Sequence, residues 1–139
     1  MKRLGAVVVI ALAGFVAALV QFDNAAAGSC MEEPDPGSSH SAAFAAPVDT
    51  GQESQVLLLS RDGRPVSGAH VCLSTEMEGM TGMGMSADAR EVAPGRYEVP
   101  IRFPMPGTWE VTVAVAREEG AAPEVAVPMK VDVKSSGMG

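Results

Sequence analysis

The sequence predicts an all-β mature domain: an immunoglobulin-like antiparallel β-sandwich of about six or seven strands, preceded by a signal peptide and a flexible arm. Three observations predict it. Apolar and polar residues alternate with period two over Ala69–Leu73, Tyr97–Phe103, Trp109–Val115 and Val125–Val133. Turn signals at Asp62-Gly63, Pro94-Gly95 and Gly107 separate those stretches at regular spacing. The β-type pattern begins at Gln55, and helix is not expected anywhere in the mature domain. A small closed barrel is the alternative architecture.

At the N-terminus, Lys2 and Arg3 precede an apolar run from Gly5 to Val20, followed by Ala25-Ala26-Ala27. A basic start, an apolar core and a small-x-small site form a secretory signal peptide, with cleavage expected after Ala27. The run is shorter than the roughly 20 residues of a spanning helix, so an uncleaved anchor is a lesser alternative. Another alternative is a degenerate lipobox, Ala27-Gly28-Ser29-Cys30, in which Cys30 becomes a lipidated mature N-terminus. Each alternative places the domain outside the cytoplasmic membrane, in the periplasm or on the outer face. Residues 28–52, rich in Ser, Ala, Pro and acidic side chains, are expected to be a flexible arm.

The sandwich is expected over residues 53–134. Val56-Leu57-Leu58-Leu59 forms a compact apolar strand ending at the turn Arg61-Asp62-Gly63-Arg64. Ala69, Val71 and Leu73 alternate with His70, Cys72 and Ser74 in the next. A glycine-rich loop follows, then a short strand within Ala87–Val92 and the Pro94-Gly95 turn. Tyr97, Val99, Ile101 and Phe103 alternate in a strand that Pro100 confines to an edge or a bulge, because proline cannot donate to a ladder. Trp109, Val111, Val113 and Val115 share one face of the next strand, and Val125 to Val133 supply the last. Ser135–Gly139 is expected to be a frayed tail.

Loss of the signal, with Lys2, Arg3 and Asp23, leaves eight basic and sixteen acidic residues. An acidic surface without a basic patch argues against nucleic acid and against anionic membranes as partners. Membrane contact is expected through the N-terminus alone, if it is uncleaved or lipidated. The two cysteines, Cys30 and Cys72, can pair in an oxidising compartment, or can stay apart with Cys72 as a small strand hydrophobe.

The most informative stretch is Met77-Glu-Gly-Met-Thr-Gly-Met-Gly-Met85. Its glycines make it a mobile loop rather than a helix. Thioethers are soft neutral ligands suited to Cu(I) where thiols tend to be oxidised. The candidate ligands are Met77, Met80, Met83 and Met85, joined by Met105 from a Pro-Met-Pro turn before Trp109 and by His70 as an imidazole. Structural alternatives stand beside them. Methionines at one end of a sandwich also serve as adaptable gap fillers, and a single strand histidine is more often a solvated surface group. Met129 and Trp109 fall in apolar registers and are expected in the core, His40 is a weak extra ligand, and Met31 has no assigned role. Zinc and calcium sites are disfavoured, since neither a Cys/His quartet nor an oxygen-rich loop is present.

Four elements in order carry a family resemblance: Arg64-Pro65-Val66-Ser67-Gly68-Ala69-His70-Val71, the Gly-Met loop, Pro94-Gly95-Arg96-Tyr97, and Phe103-Pro104-Met105-Pro106-Gly107-Thr108-Trp109. The chain resembles a YtkA-like domain, a group linked with FixH-type proteins of bacterial envelopes, over roughly residues 53–134. The resemblance implies an exported immunoglobulin-like fold and an association with copper handling and cytochrome oxidase maturation. It carries Met80, Met83, Met85 and Met105 over as ligands. FixH-type proteins normally keep a clear N-terminal membrane helix, whereas the apolar run here is shorter.

An enzyme is not expected. The two histidines, one of them in the arm, do not form a nucleophilic arrangement, and the glycine loop lacks the lysine of a phosphate cradle. The expected function is an exported copper carrier that passes Cu(I) from the Met-rich loop to an envelope protein, an oxidase or a copper exporter. The alternative is a metal-free accessory module that docks on a membrane complex.

Overall fold

The computed structural model describes Cys30, Pro34, Asp35 and residues 37–137, so the signal peptide, the lipobox positions before Cys30, Met31 and Met138 lie outside the described residues. Nine strands run in order among the described residues: β1 His40–Phe44, β2 Val48–Asp49, β3 Gln55–Arg61, β4 Arg64–Pro65, β5 His70–Met77, β6 Met85–Ala93, β7 Arg96–Val99, β8 Gly107–Ala116 and β9 Pro123–Lys134. The first sheet follows the order β1-β3-β7-β6, with β4 beside β3, and the second follows β6-β5-β8-β9-β2. Strand β6 belongs to both. Its first half, Met85–Ala89, pairs with β5, and its second half pairs with β7 across an irregularity between Glu91 and Ala93. That irregularity lets one strand turn the corner between the layers. The ladders are antiparallel, apart from β2 with β9, where Val48 faces Val133 in a parallel pair. The result is the β-sandwich expected, with a barrel-like corner.

The alternation in the sequence builds the core directly. Leu57, Leu59, Tyr97 and Val99 from the first sheet meet Val71, Leu73, Trp109, Val111 and Val113 from the second. Phe103 packs edge-to-face on Trp109, with ring centroids 5.3 Å apart. The strand expected over Tyr97–Phe103 stops at Val99, because Pro100 ends the ladder and Ile101 N–H folds back onto the Val99 carbonyl at 2.9 Å. Ile101 and Phe103 still reach the core from this irregular segment. Tyr97 fixes the loop before β5: its hydroxyl donates to the Val66 carbonyl at 2.8 Å and accepts from Ala69 N–H at 3.4 Å. Asp62 and Gly63, both at positive φ, close the tight turn between β3 and β4.

The largest difference from expectation lies in the stretch read as a flexible arm. Strand β1 pairs with β3 from His40↔Arg61 to Phe44↔Leu57, and β2 then crosses to the other sheet. Ala42 and Phe44 pack against the core, and that burial offsets the entropy of ordering a stretch of weak β formers. Before β1, Cys30 forms a disulfide with Cys72, their Cα atoms 5.3 Å apart, and Asp35 N–H donates to the Ala126 carbonyl at 2.7 Å. The row Cys72–Ala114–Ala126 crosses the outer face of the second sheet, and all three are buried although they point away from the core. A disulfide-bonded Cys30 has no sulfur free for a lipid, so the structure favours the first of the two cysteine alternatives. At the other end, Ser136 N–H is held by Thr50 Oγ1 at 3.0 Å, so the described part of the tail is tied down there.

Candidate functional site

Strands β5 and β8 run antiparallel with Met77 opposite Trp109. This register brings the β5–β6 hairpin and the turn that carries Met105 to the same end of the sandwich. The hairpin centres on Met80: Thr75 pairs with Met85 and Ser74 with Ser86. The ladder ends there, and residues 78–84 form the turns of the tip. Met77 and Met85 lie in strands and share the inward parity of Leu73 and Ala87, whereas Met83 lies in the loop before β6. All three are half-buried, and Met77 and Met85 pack against the core. Met80, at the apex, is 43 % exposed and Met105 is 37 % exposed.

Glycines make this end possible. Gly79 and Gly82 take φ of 83° and 87°, reversing the chain where a side chain would be strained. The apex is also ordered by the Met80 N–H to Met77 carbonyl bond of 3.1 Å and by Glu78 N–H to Thr108 carbonyl at 3.0 Å. Gly107, at φ 138°, matters most. A Cβ there would stand 2.7 Å from the Met77 methyl carbon, so its bare backbone is the surface on which Met77 lies. Met105 is two residues before Gly107, and its carbonyl accepts the Trp109 indole N–H at 3.0 Å. The buried Trp109 thus anchors the turn that brings Met105 beside the Met77 end.

Charge surrounds the sulfurs on the outer face. Glu76 stands opposite Glu110, Glu110 opposite Lys130, and Glu78 pairs with Lys130 at 3.4 Å. An open groove of about 640 Å³ runs between Glu76, Glu110, Gly82, Gly84 and Met85, with Pro34 on its wall. The end is rich in thioethers and rimmed by carboxylates, a setting that attracts cations.

The structure does not gather every candidate. His70 begins β5 opposite Ala116, seven residues from Met77, which is about 23 Å at strand rise. It sits 3.4 Å from Asp88 and belongs to a different part of the surface from the methionines. Met85 is the first residue of β6 rather than a loop residue, so it is less mobile than the glycine count implied. His40 begins β1 opposite Arg61, and Met129 packs on the core as expected. Sequence reasoning missed Gly107 as the floor under Met77 and Asp88 as the neighbour of Cys72. The second was signalled by the hairpin itself, since a turn centred on Met80 sets residue 72 across from residue 88.

No curated protein matches the chain. The family model for YtkA-like domains matches residues 41–114, just over half of the chain, beginning within β1 and ending in β8. That span includes the whole Met-rich hairpin, Met105 and Trp109, and it starts inside the stretch expected to be an arm. The chain therefore belongs to the YtkA-like family.

Proposed function

We propose that this protein is an exported, non-catalytic carrier that binds Cu(I) through the thioethers at the hairpin end and hands it to an envelope partner. The observation that carries the reading is the convergence of two separate sequence elements. The β5–β6 hairpin supplies Met77, Met80, Met83 and Met85, and the Pro104–Gly107 turn supplies Met105 beside the backbone on which Met77 rests. Thioethers have no proton to lose and suit a soft monovalent ion. The exposed pair, Met80 and Met105, is placed to meet the ion first, and the half-buried Met77, Met83 and Met85 offer further sulfurs behind them. Stepwise replacement of one sulfur by a partner's ligand then allows transfer without a free ion. His70 is left out of this set by its distance.

The test is titration of the full-length, disulfide-oxidised protein with Ag(I), followed by the Met methyl resonances. One equivalent is expected to shift Met77, Met80, Met83, Met85 and Met105 and to leave Met129 in place. Leucine at Met80, Met83 and Met105 together is expected to weaken Ag(I) at least a hundredfold, with far-UV circular dichroism unchanged. Unshifted methyl groups, or undiminished binding by the triple variant, sink the carrier reading. If the triple variant also kept its cellular role, a metal-free docking module would be the better account.

A further inference from the structure

A second cluster lies on the outer face of the β5–β6 ladder, five residues along β5 from Met77. Cys72 and Asp88 are directly paired in that ladder, and the N-terminal segment brings Cys30 onto Cys72. The two Sγ atoms and a carboxylate oxygen of Asp88 all lie within 4.8 Å of one another. His70 occupies the same strand face two residues before Cys72, with Nε2 3.4 Å from Asp88 Oδ1. A tether needs the two sulfurs alone. It does not account for a carboxylate beside them that is itself held by an imidazole.

We propose that the Cys30–Cys72 bond gates a metal site: once reduced, the two thiolates and the Asp88 carboxylate bind a borderline divalent cation of the zinc class. Three protein ligands leave a fourth position open for water or an incoming ligand, as in exchangeable zinc sites. His70 acts as a positioning residue, its ring N–H holding the carboxylate in place. The donor set differs from the methionine end in charge: two thiolates and a carboxylate neutralise a divalent ion and add an oxygen ligand, whereas Cu(I) would use the thiolates alone. Opening the gate requires a dithiol reductant. Its two thiols become a disulfide, two electrons and two protons pass to Cys30 and Cys72, and ion binding then releases those two protons. Cys30 is 7 % exposed and Cys72 1 %, so the incoming thiolate attacks at Cys30, leaving Cys72 as the departing sulfur.

Cobalt(II) is a suitable probe because thiolate coordination produces charge-transfer absorption and intense visible bands in a tetrahedral field. Full-length protein reduced by a phosphine is expected to develop both up to one equivalent of Co(II) and to lose them when Zn(II) is added. The oxidised protein is expected to show neither. Asp88→Asn is expected to weaken Co(II) binding about tenfold or more, and the Cys30→Ser, Cys72→Ser double variant to abolish the bands while keeping its β-type circular dichroism. His70→Ala is expected to cost about ten- to a hundredfold, with His70→Gln recovering most of it. Absence of bands in the reduced protein, or an Asp88→Asn variant indistinguishable from the parent, overturns the proposal. Equal losses in both His70 variants, with shifted visible bands, overturn the positioning role. The Ag(I) titration uses oxidised protein, so failure of one site leaves the outcome at the other intact.

Discussion

At the scale of single residues, Gly107 decides how the methionine end is built. It combines a φ of 138° with a missing Cβ that would otherwise stand 2.7 Å from the Met77 methyl. Gly107→Ala therefore carries chiefly the cost of a backbone conformation that side chains avoid, about 1–3 kcal/mol, and a smaller contact cost that the flexible end of Met77 relieves by moving. The two can be separated by a double-mutant cycle. In a Met77→Ala background the contact cost vanishes and the backbone cost stays, so Gly107→Ala is expected to be less destabilising there, read by urea denaturation. Equal effects in both backgrounds would show that the Met77 methyl moves aside without cost. The alanine variant is also expected to bind Ag(I) less tightly, because it displaces Met77 while leaving every sulfur in the chain.

At the scale of elements, the long strands were legible because their alternation of Val, Leu and Trp with polar residues is strong. The hidden elements were weak for physical reasons. Strand β1 alternates His40, Ala42 and Phe44 inward, but Ala and Ser have low β propensity, and burial against the core supplies what propensity does not. The clustering of methionines in the hairpin was visible in composition. The outward faces of Cys72, Ala114 and Ala126 become meaningful once the register aligns them under the N-terminal segment. This element-scale feature has a measurable weight. The disulfide joins residues 42 apart, and the chain-entropy model gives about 4 kcal/mol for a loop of that length. Replacing both cysteines by serine is expected to lower stability by about 2–4 kcal/mol, seen as a lower urea midpoint. An unchanged midpoint would mean that the hydrogen bond from Asp35 to Ala126 and the β1–β3 ladder hold the segment without the covalent link.

At the scale of the whole molecule, two titratable groups on different elements each add a pH-dependent contribution to stability. Burial pushes the His40 pKa below its ordinary value of 6.5, and the neighbouring Arg61 pushes it the same way, against smaller opposing effects of Asp62 and Glu124. The unfolded chain therefore binds a proton more readily than the folded one, and this contribution, present above pH 6.5, is lost as pH falls through the folded-state value. Tyr97 acts at the other side. Burial raises its pKa above the ordinary 10.0, the hydrogen bond from Ala69 works against the rise, and Glu91 adds to it. Its contribution is complete below pH 10 and is lost as pH climbs through the folded-state value, because the unfolded phenol ionises first. His40 lies at the start of β1 and Tyr97 clamps the loop before β5, so the two limbs report on separate parts of the fold. Urea midpoints measured from about pH 4 to 11 are expected to form a plateau with a falling limb on each side. His40→Gln is expected to flatten the acid limb and leave the alkaline one, and Tyr97→Phe to do the reverse while lowering the plateau by about 1–3 kcal/mol through the unpaired Val66 carbonyl. An acid limb of the same slope in His40→Gln would assign it to the carboxylates instead.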